Sequence, residues 1–591
     1  MGSTETEAIV YQVAPLARLR RLTTSTVARL GVLESLIVAL VAVGSFLRLV
    51  QYAYNRSLWF DEAMLALNVL QRSFGQLFQP LDYHQAAPSG FLLATKIVTL
   101  IMGTGEFALR LVPLLCGIAA LPLLYLAARR SVGTAAVPVA IALLALSPHL
   151  IRYSAEFKQY SVDLCVTLIL LLAAFRMRDD GGSRSSAAQL AVLGGCGLWF
   201  SHPSVFVLGG IGGALGLRFL HGKDWLSLRR LVLVGATWLG SFAVEYLVVI
   251  RKIDRSNFQA FWQASFLPLP PHDLAELVDW GRRSADVLHN PVGLELVYAA
   301  GVLLLIGSVE MIRRRWDLFL MLILPIAFTL LAAGLESYPF AGRLILFIVP
   351  LLALLIAQGA GSLWERTQGR GPRLLVLMVV GIILWGPATE ALSVPFTREE
   401  LRPVVAYLED RYQTGDKVYV YYGAEPAFRY YTRDGGLSRA EVYYGVSSRG
   451  QPERYRADLD RMRGNDRVWV VFSHVHGRDP ESEEQLFLEH LDTMGVSRRA
   501  FRQQGAAVFL YDLSEDPAGL VLSLTQDQPG QSQLVPKIGL RGPAMSPILE
   551  WTGLRGRMDL SPGGGEWGRF GVRQTGVGCS ARHSSVNRLS G

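Results

Sequence analysis

Residues 27–63 read VARLGVLESLIVALVAVGSFLRLVQYAYNRSLWFDEA, a long apolar run that ends in the adjacent acids Asp61 and Glu62. The apolar part, residues 27–50, is longer than the core of a signal peptide and no small-residue cleavage site follows it, so we predict a retained membrane helix. Acidic side chains at the mouth of a membrane helix are costly and are therefore candidates for function. The two carboxylates are the best indication of chemistry in the chain.

Composition indicates the class of protein. Of 591 residues, 51% are hydrophobic and 18% are charged, and the hydrophobic residues form repeated long runs. This arrangement excludes an ordinary soluble domain and predicts an α-helical protein that crosses the membrane many times. About eleven runs approach the ~20 residues that a helix needs to span a bilayer. They are residues 27–50, 107–128, 135–150, 157–176, 187–200, 203–220, 231–250, 291–312, 318–335, 344–363 and 374–392.

The distribution of arginines predicts the topology. Arginines within residues 18–21 precede the first run, so the positive-inside rule places the N-terminus in the cytoplasm and Asp61 outside. Residues 90–102 are too short for a span and are predicted to form a re-entrant or surface-lying helix on the outer side. The odd number of crossings then delivers the chain after residue 392 to the outside. The loop 251–290 also falls outside, despite its basic residues.

This topology divides the chain into four predicted segments. They are a cytoplasmic N-terminal segment (1–26), a transmembrane domain (27–395), an extracytoplasmic soluble α/β domain (396–513) and a disordered tail (514–591). In the soluble domain, predicted helices (399–412, 426–432, 481–494) alternate with predicted strands (417–422, 467–472, 506–511), as in small α/β domains. In the tail the Gly, Ser, Pro and Gln content rises and periodicity disappears. We expect the soluble domain to cover the site or bind an acceptor, or else to serve as a scaffold.

Charge and cysteine content limit the partners. The net charge of +8 comes from Lys and Arg that cluster between apolar runs rather than on one basic face, so we predict no nucleic-acid partner. Cysteines 116, 165 and 196 lie inside apolar runs, and no disulfide framework follows from them. Membrane lipids are the partners that the composition indicates.

Polar side chains from separate segments fall on one side of the membrane in this topology, at or near helix ends. Carboxylates in such a place can act on a reacting group, while cations hold an anionic headgroup. We therefore predict a site at the outer interface. Its candidate residues are Asp61, Glu62, Asp82, His84, Arg110, Tyr153, Glu156, Lys158, Tyr160, His202, Tyr338 and Arg343.

Several motifs resemble those of the GT-C glycosyltransferases, membrane enzymes that use polyprenyl-phosphate sugars. In chain order they read WFDEA (59–63), HQAAP (84–88), EFALRL (106–111), YSAEFKQY (153–160) and PFAGR (339–343). The resemblance extends over residues 27–395. The branch that it matches best contains protein O-mannosyltransferases, the lipid A aminoarabinose transferase and the rhizobial lipopolysaccharide galacturonosyltransferases. The family often has His-Pro-Pro in place of HQAAP and commonly Arg at the position of Lys158.

The resemblance implies a GT-C fold and an enzyme that transfers a sugar from a polyprenyl-phosphate donor to a glycolipid, glycan or protein acceptor. It implies that Asp61 is the base that takes the proton of the acceptor hydroxyl, and that Glu62 orients Asp61 or the acceptor. Glu156 is expected to bind sugar or acceptor hydroxyls. The predicted phosphate ligands are Arg110, Lys158 and Arg343. The other predicted substrate-binding residues are His84, Tyr153, Tyr160, His202 and Tyr338.

The predicted reaction needs no cofactor. The phosphate ester of the donor supplies the driving force, so neither a nucleotide nor a redox group is required. A divalent metal held by His84 or His202 with an acid has no support from short paired ligand spacing.

Several candidate residues have structural alternatives. Asp61 and Glu62 could favour the positive end of a helix dipole. Glu156 could share one helical face with Tyr160 and Asp163 in an interhelical network. The candidate arginines at helix mouths could extend toward lipid headgroups.

Two other functions remain open. A transporter of polysaccharide or lipid-linked oligosaccharide would place polar groups near the midplane between internal repeats, and no clear repeat is visible. An O-antigen ligase or polymerase would rely on Arg and His of residues 251–290 rather than on Asp61. We favour the glycosyltransferase, in a bacterial or archaeal plasma membrane, although an endoplasmic reticulum protein would show the same pattern. The sugar, the acceptor, the carrier and the oligomeric state stay open.

Overall fold

The computed structural model describes residues 14–514, apart from residues 254, 268, 272, 394 and 477–481. Within these residues the chain is mostly helical and ends in a small sheet. The first fifteen α-helices are α1 (Ala14–Ala53), α2 (Phe60–Gln71), α3 (Ser89–Met102), α4 (Glu106–Ser131), α5 (Val137–Ala145), α6 (Pro148–Ser154), α7 (Tyr160–Asp179), α8 (Arg184–Phe200), α9 (Ser204–His221), α10 (Trp225–Val248), α11 (Arg255–Trp262), α12 (Leu274–His289), α13 (Val297–Gly334), α14 (Val349–Arg366) and α15 (Arg370–Leu392).

The helices include membrane spans. Among the described residues, eight helical stretches are long and apolar enough to cross a membrane. They lie in α1, α4, α7, α9, α10, α13, α14 with the turn before it, and α15. A ninth candidate consists of residues 134–145 and 148–154, which are bent by 56° relative to each other. The predicted class, an α-helical polytopic membrane protein, is confirmed.

The number of crossings depends on two helices. Helix α13 has 38 residues, includes most of two predicted spans, and is interrupted at Arg315, where φ is −150° and ψ is 58°. Helix α8 has 17 residues, just below the usual spanning length. The figure of eleven crossings therefore stays a prediction. The apolar segment predicted at 90–102 to be too short for a span is α3, which has 14 residues.

Helices α13 and α14 approach each other closely through two glycines. A Cβ atom on Gly307 would lie 1.9 Å from the carbonyl oxygen of Leu355, and one on Gly359 would lie 2.0 Å from the carbonyl oxygen of Leu303. Small residues permit such contact between backbones in a membrane, where packing rather than the hydrophobic effect holds helices together. Any larger residue at these two positions would separate the helices.

The region after α15 contains a mixed sheet. Its elements are α16 (Leu401–Arg411), β1 (Lys417–Val420), α17 (Glu425–Thr432), β2 (Glu441–Tyr444), α18 (Pro452–Leu459), β3 (Val468–Ser473), α19 (Glu483–Met494), β4 (Val496–Gln503) and β5 (Ala506–Asp512). The strand order is β2-β1-β3-β5-β4, with β1 parallel to β2 and β3, and β3 antiparallel to β5. The predicted small C-terminal α/β region is confirmed.

Each of the six elements predicted in this region has a counterpart in the structure, whereas β2, β4 and α18 were not predicted. Strand β3 is buried along its whole length, as its apolar sequence predicts. Strands β2 and β4 lie at the two edges of the sheet and are mostly not buried. Such edge strands lack the apolar pattern on which a prediction depends.

The described chain folds into two compact units. The first comprises the described residues up to Ser447, together with Asp466–His474 and Ser497–Tyr511, and so contains the membrane helices with the sheet. The second contains α18 and α19, which pack through Tyr455 and Phe487 with ring centroids 5.0 Å apart. The tail predicted after residue 513 lies outside the described residues, except for Ser514, as does the N-terminal segment up to residue 13.

Candidate active site

The two acids of the first loop lie in the first turn of α2. The loop leaves α1 at Ala53 and reaches the extended residue Trp59 just before α2 begins. Acidic side chains are favourable at this end of a helix because the backbone N–H groups carry partial positive charge there. Consecutive residues of a helix point about 100° apart. Asp61 and Glu62 therefore enter different surroundings.

Asp61 contacts side chains from three other segments. Its Oδ2 lies 2.9 Å from Nη2 of Arg343 and 3.6 Å from Nζ of Lys158. Nε2 of Gln85 donates to its Oδ1 at 3.3 Å, and Lys158 donates to the Gln85 amide oxygen at 2.7 Å. The Asp61 side chain is 16% exposed. The site thus joins one carboxylate, two cations and a bridging amide at a place that solvent still reaches.

The surroundings of Asp61 fix its charge. Burial raises the pKa of the Asp61 carboxyl, but the charges of Lys158 and Arg343 and the hydrogen bond from Gln85 lower it by a larger amount. The resulting pKa is about 2, below the ordinary value of 3.8. The group is therefore ionised at neutral pH. It is available as a base or as the partner of a developing positive charge.

Glu62 lies in a buried ion-pair network instead. Arg110 donates to both of its carboxylate oxygens at 2.8 Å, and the backbone N–H of Phe157 donates to Oε1 at 2.6 Å. Arg56 lies 3.5 Å from Oε2. The Glu62 side chain has no exposed surface. In this arrangement Glu62 holds α4 and the chain before α7 against the first loop, which fits a positioning role better than contact with substrate.

Arg110 completes that network. Besides Glu62, it donates to the carbonyl oxygens of Arg56 at 2.7 Å and Ser57 at 3.1 Å, and it is 2% exposed. Its described contacts are with the first loop and not with Asp61. The phosphate-binding role predicted for Arg110 does not fit these contacts, because its donors are directed to the buried carboxylate and the two carbonyl groups.

Glu156 belongs to the same network. It is fully buried, 3.3 Å from Arg56 and 3.6 Å from Arg152. The predicted helical face shared with Tyr160 and Asp163 is wrong, because Glu156 lies in the turn between α6 and α7 and precedes the helix that begins at Tyr160. The structural alternative, an interhelical network, agrees with its position.

The Glu62 network predicts a pH dependence of stability. Burial raises the pKa of Glu62, but Arg110 and Arg56 lower it by a larger amount. The resulting pKa is about 2, below the ordinary value of 4.5. A carboxyl whose pKa is lower in the folded state contributes stability that is fully present above its unfolded pKa and is lost as the pH falls toward its folded pKa. We expect the Tm of the solubilised protein to fall between about pH 4.5 and 2, and Glu62→Gln to weaken this dependence. Parallel curves for the two proteins would contradict the assignment.

Aromatic rings line the cationic side of the site. The Arg343 guanidinium lies 5.5 Å from the ring centroid of Trp59 and 5.9 Å from that of Tyr160. Tyr153 packs edge-on against Tyr160, with ring centroids 5.4 Å apart. Tyr338 donates its hydroxyl to the carbonyl oxygen of Leu344 at 2.7 Å and so supports the turn that carries Arg343.

Two predicted histidines are not brought to Asp61 by the described contacts. His202 Nε2 lies 3.6 Å from Glu245 Oε1 of α10. His84 is exposed at the end of a short 3₁₀ turn, and its neighbour Gln85 provides the contact with Asp61. Substrate binding by His84 and His202 stays a prediction.

Sequence reasoning missed Gln85 and Arg56. Gln85 stands inside the quoted HQAAP motif, but a neutral amide carries no signal of a charged site. Arg56 stands five residues before Asp61 and has no partner visible in the sequence, because its carboxylate Glu156 lies 100 residues away. Among the described residues no group of three or more His, Cys, Asp or Glu side chains is placed to hold a metal ion. The absence of a metal requirement stays a prediction.

Comparison with known proteins agrees with this architecture. Residues 86–244 match the family model described as dolichyl-phosphate-mannose-protein mannosyltransferase. The crystal structure of ArnT from Cupriavidus metallidurans in the apo state is similar, with a TM-score of 0.50 and 15% identity over 82% of this chain and 98% of that chain. The archaeal oligosaccharyltransferase AglB from Archaeoglobus fulgidus, in complex with an inhibitory peptide and a dolichol-phosphate, gives a TM-score of 0.48 and 11% identity over 81% of this chain and 74% of that chain. No curated protein sequence matches the chain significantly.

The similarity to ArnT shows that the chain has the GT-C fold that the motifs predict. The family match covers the segment that contains Glu156 and Lys158. Together, the fold and the family match point to a membrane glycosyltransferase.

Proposed function

We propose that the protein transfers a sugar from a polyprenyl-phosphate donor to an acceptor at the extracytoplasmic face of the membrane. The observation that carries this proposal is the group formed by Asp61, Lys158, Arg343 and Gln85. It places an ionised carboxylate within 3.6 Å of two cations in a GT-C fold. A base beside an anion-binding pair is what displacement of a lipid phosphate by a hydroxyl requires.

The proposed step is a single displacement. The acceptor oxygen forms a bond to the anomeric carbon of the sugar while the bond from that carbon to the phosphate oxygen breaks. Asp61 takes the acceptor proton, and the polyprenyl phosphate leaves with the electron pair. Lys158 and Arg343 stabilise the charge that develops on the phosphate, Arg343 as a planar donor and Lys158 as a point charge.

Donor binding would also strengthen the base. Asp61 with a pKa of about 2 is a weak proton acceptor as long as both cations face it. A donor phosphate held by Lys158 and Arg343 adds a second anion next to the carboxylate, and a nearby like charge raises a carboxyl pKa. Asp61 therefore becomes more basic when the donor is in place.

Three further observations support the donor class and the orientation. The matching family is described by a lipid-phosphate sugar as donor and a protein as acceptor. The site lies at the end of the spans α1, α4 and α7, where an amphiphilic donor would reach it from the bilayer. The arginines before the first span favour a cytoplasmic N-terminus and hence an extracytoplasmic site and α/β region. We propose a plasma-membrane location on this basis.

The proposal is tested with the full-length protein in lipid vesicles and a panel of radiolabelled polyprenyl-phosphate sugars. We expect transfer from at least one donor to an acceptor extract. We also expect Lys158→Gln to raise the donor KM roughly 10-fold or more, because a charge-assisted contact with phosphate is lost. Lys158→Arg should retain transfer, because Arg keeps the positive charge and can contact phosphate.

An exposed lysine provides the matched control, since Lys223→Gln removes the same charge away from Asp61. Its donor KM should equal that of the wild type. Absence of transfer from every donor would contradict the proposal and favour a transporter or an O-antigen ligase. An unchanged KM in Lys158→Gln would remove Lys158 from the phosphate site.

A further inference from the structure

Side chains from the region after α15 hold the backbone of the first loop. The N–H groups of Ser57 and Phe60 donate to Glu400 at 3.2 Å and to Glu399 at 3.1 Å. The N–H of Leu58 donates to the Tyr431 hydroxyl at 2.7 Å. Three N–H groups within four residues thus find their partners in a part of the chain that sequence reasoning treated as a separate module.

The contact at Phe60 is a three-part arrangement. One carboxylate oxygen of Glu399 accepts the Phe60 N–H, and the other lies 2.8 Å from Nδ1 of His474. The His474 ring in turn stacks on the Phe60 ring, with centroids 4.3 Å apart and planes inclined by 2°. Glu399 therefore binds the backbone of Phe60, and His474 packs against its side chain. Phe60 immediately precedes Asp61.

The backbone of His474 is in an unusual conformation. Its φ is 53°, in the left-handed region that non-glycine residues seldom occupy, and it directly follows the last residue of β3. Strained residues of this kind persist where the surrounding structure imposes them, often at functional sites. Here the residue with the positive φ is His474, whose imidazole stacks on the ring of Phe60.

A second contact acts on Trp59, two residues before Asp61. The Arg398 guanidinium lies 3.9 Å from the ring centroid of Trp59, and the same ring is 5.5 Å from Arg343. Arg343 is the closest cation to Asp61. Arg398 thus steadies a ring that also contacts one of the two cations of the site.

We propose that the Glu399–His474 pair is a positioning element of the active site, which fixes Phe60 and thereby the direction of the Asp61 carboxylate. This inference rests on the proposed function. Neither residue is placed in contact with the reacting atoms. A displacement of about 1 Å in a catalytic group can cost on the order of 100-fold in rate. The pair therefore acts on the chemical step rather than on donor binding.

Substitutions at His474 separate the side chain from the backbone strain. His474→Gly removes the imidazole but accepts the positive φ without cost. We expect it to lower kcat by about 10- to 100-fold while the donor KM changes by less than about twofold. His474→Asn tolerates the same φ and still offers an N–H donor to Glu399, so it should recover most of the rate. Glu399→Gln should lower kcat as well, because the amide cannot accept from both partners as a carboxylate does.

The chain offers a matched control in a second histidine–carboxylate pair. Nε2 of His490 in α19 lies 3.0 Å from Asp460. His490→Ala should leave kcat unchanged. Tm should be measured for every variant, and if His474→Gly does not fold, Glu399→Gln decides the question.

The outcomes distinguish the two proposals. Absence of transfer in the wild type would contradict the proposed function itself. Transfer in the wild type with unchanged kcat in folded His474→Gly and Glu399→Gln would overturn the positioning role alone. A rise in donor KM with unchanged kcat would also overturn it, because the pair would then serve binding.

Discussion

Asp61→Asn is expected to lower kcat by about 10²- to 10⁴-fold, the usual contribution of a general base. The amide has nearly the same size as the carboxylate but cannot take the acceptor proton. It also removes the anion that faces Lys158 and Arg343 at 3.6 and 2.9 Å. A donor phosphate then no longer competes with the Asp61 carboxylate for the two cations, so we expect the affinity for polyprenyl phosphate to stay the same or to increase. Single-turnover transfer and lipid-phosphate binding, measured on the same preparation, check both parts.

An exposed acid of the C-terminal region provides the control for this substitution. Asp410 in α16 is 72% exposed and pairs with Arg411 at 2.6 Å, so Asp410→Asn removes one carboxylate charge without touching Asp61. It should leave transfer unchanged. A wild-type kcat in Asp61→Asn would exclude Asp61 as the base. A loss of phosphate binding in that variant would instead mean that the carboxylate organises the cations rather than competes with the donor.

Arg110→Met is expected to destabilise the protein by about 3–5 kcal/mol, the cost of leaving a buried carboxylate without its main partner. Glu62 has no exposed surface and receives two 2.8 Å hydrogen bonds from Arg110. The carbonyl groups of Arg56 and Ser57 also lose their donors in this variant. The free energy of unfolding in detergent, or the Tm where unfolding is irreversible, measures the effect.

Two variants test whether the unpaired charge of Glu62 causes the loss of stability in Arg110→Met. The double variant Arg110→Met with Glu62→Gln should be more stable than Arg110→Met alone, because the unpaired charge is gone. Arg129→Met on the same helix α4 changes an exposed arginine and should stay within about 0.5 kcal/mol of the wild type. Equal losses in the single and double variants would mean that lost packing, and not the unpaired charge, accounts for the effect.

The structure brings some of the predicted site residues together at Asp61 and directs others to the buried carboxylate of Glu62. Asp61, Lys158 and Arg343, which the predicted topology places on one side of the membrane, come together in the structure. Asp61 lies in the first turn of α2, Lys158 lies two residues before α7, and Arg343 lies in the turn before α14. Arg110 is also a cation near the end of a helix, but it forms an ion pair with the buried carboxylate of Glu62. A sequence does not show which of two neighbouring acids turns inward. Whether Asp61 or Glu62 is buried depends on which of them the packing of the helices brings close to Arg110.

The contacts that hold the first loop could not be predicted for a different reason. Each one joins residues separated by 339 to 373 positions, and the partners are common surface residue types such as Glu and Tyr. Apolar periodicity located the helices and the central strands, since it repeats along the chain. A single hydrogen bond between distant segments leaves no such repeat. Apolar periodicity predicted two separate spans at 291–312 and 318–335, whereas the structure has the single long helix α13 with an interruption at Arg315.

The separation between the first loop and its partners has a consequence for biogenesis. A ribosome delivers Ser57, Leu58 and Phe60 to the membrane long before it has made Glu400, Tyr431 and Glu399, which accept their N–H groups in the mature protein. Throughout insertion of the helices, the segment that carries the base therefore waits without its native partners. If these contacts position the base as proposed, a copy that lacks the last third of the chain should transfer sugar at least roughly 10-fold more slowly than the complete protein, and full activity should appear only after residues 399–431 have folded against the first loop.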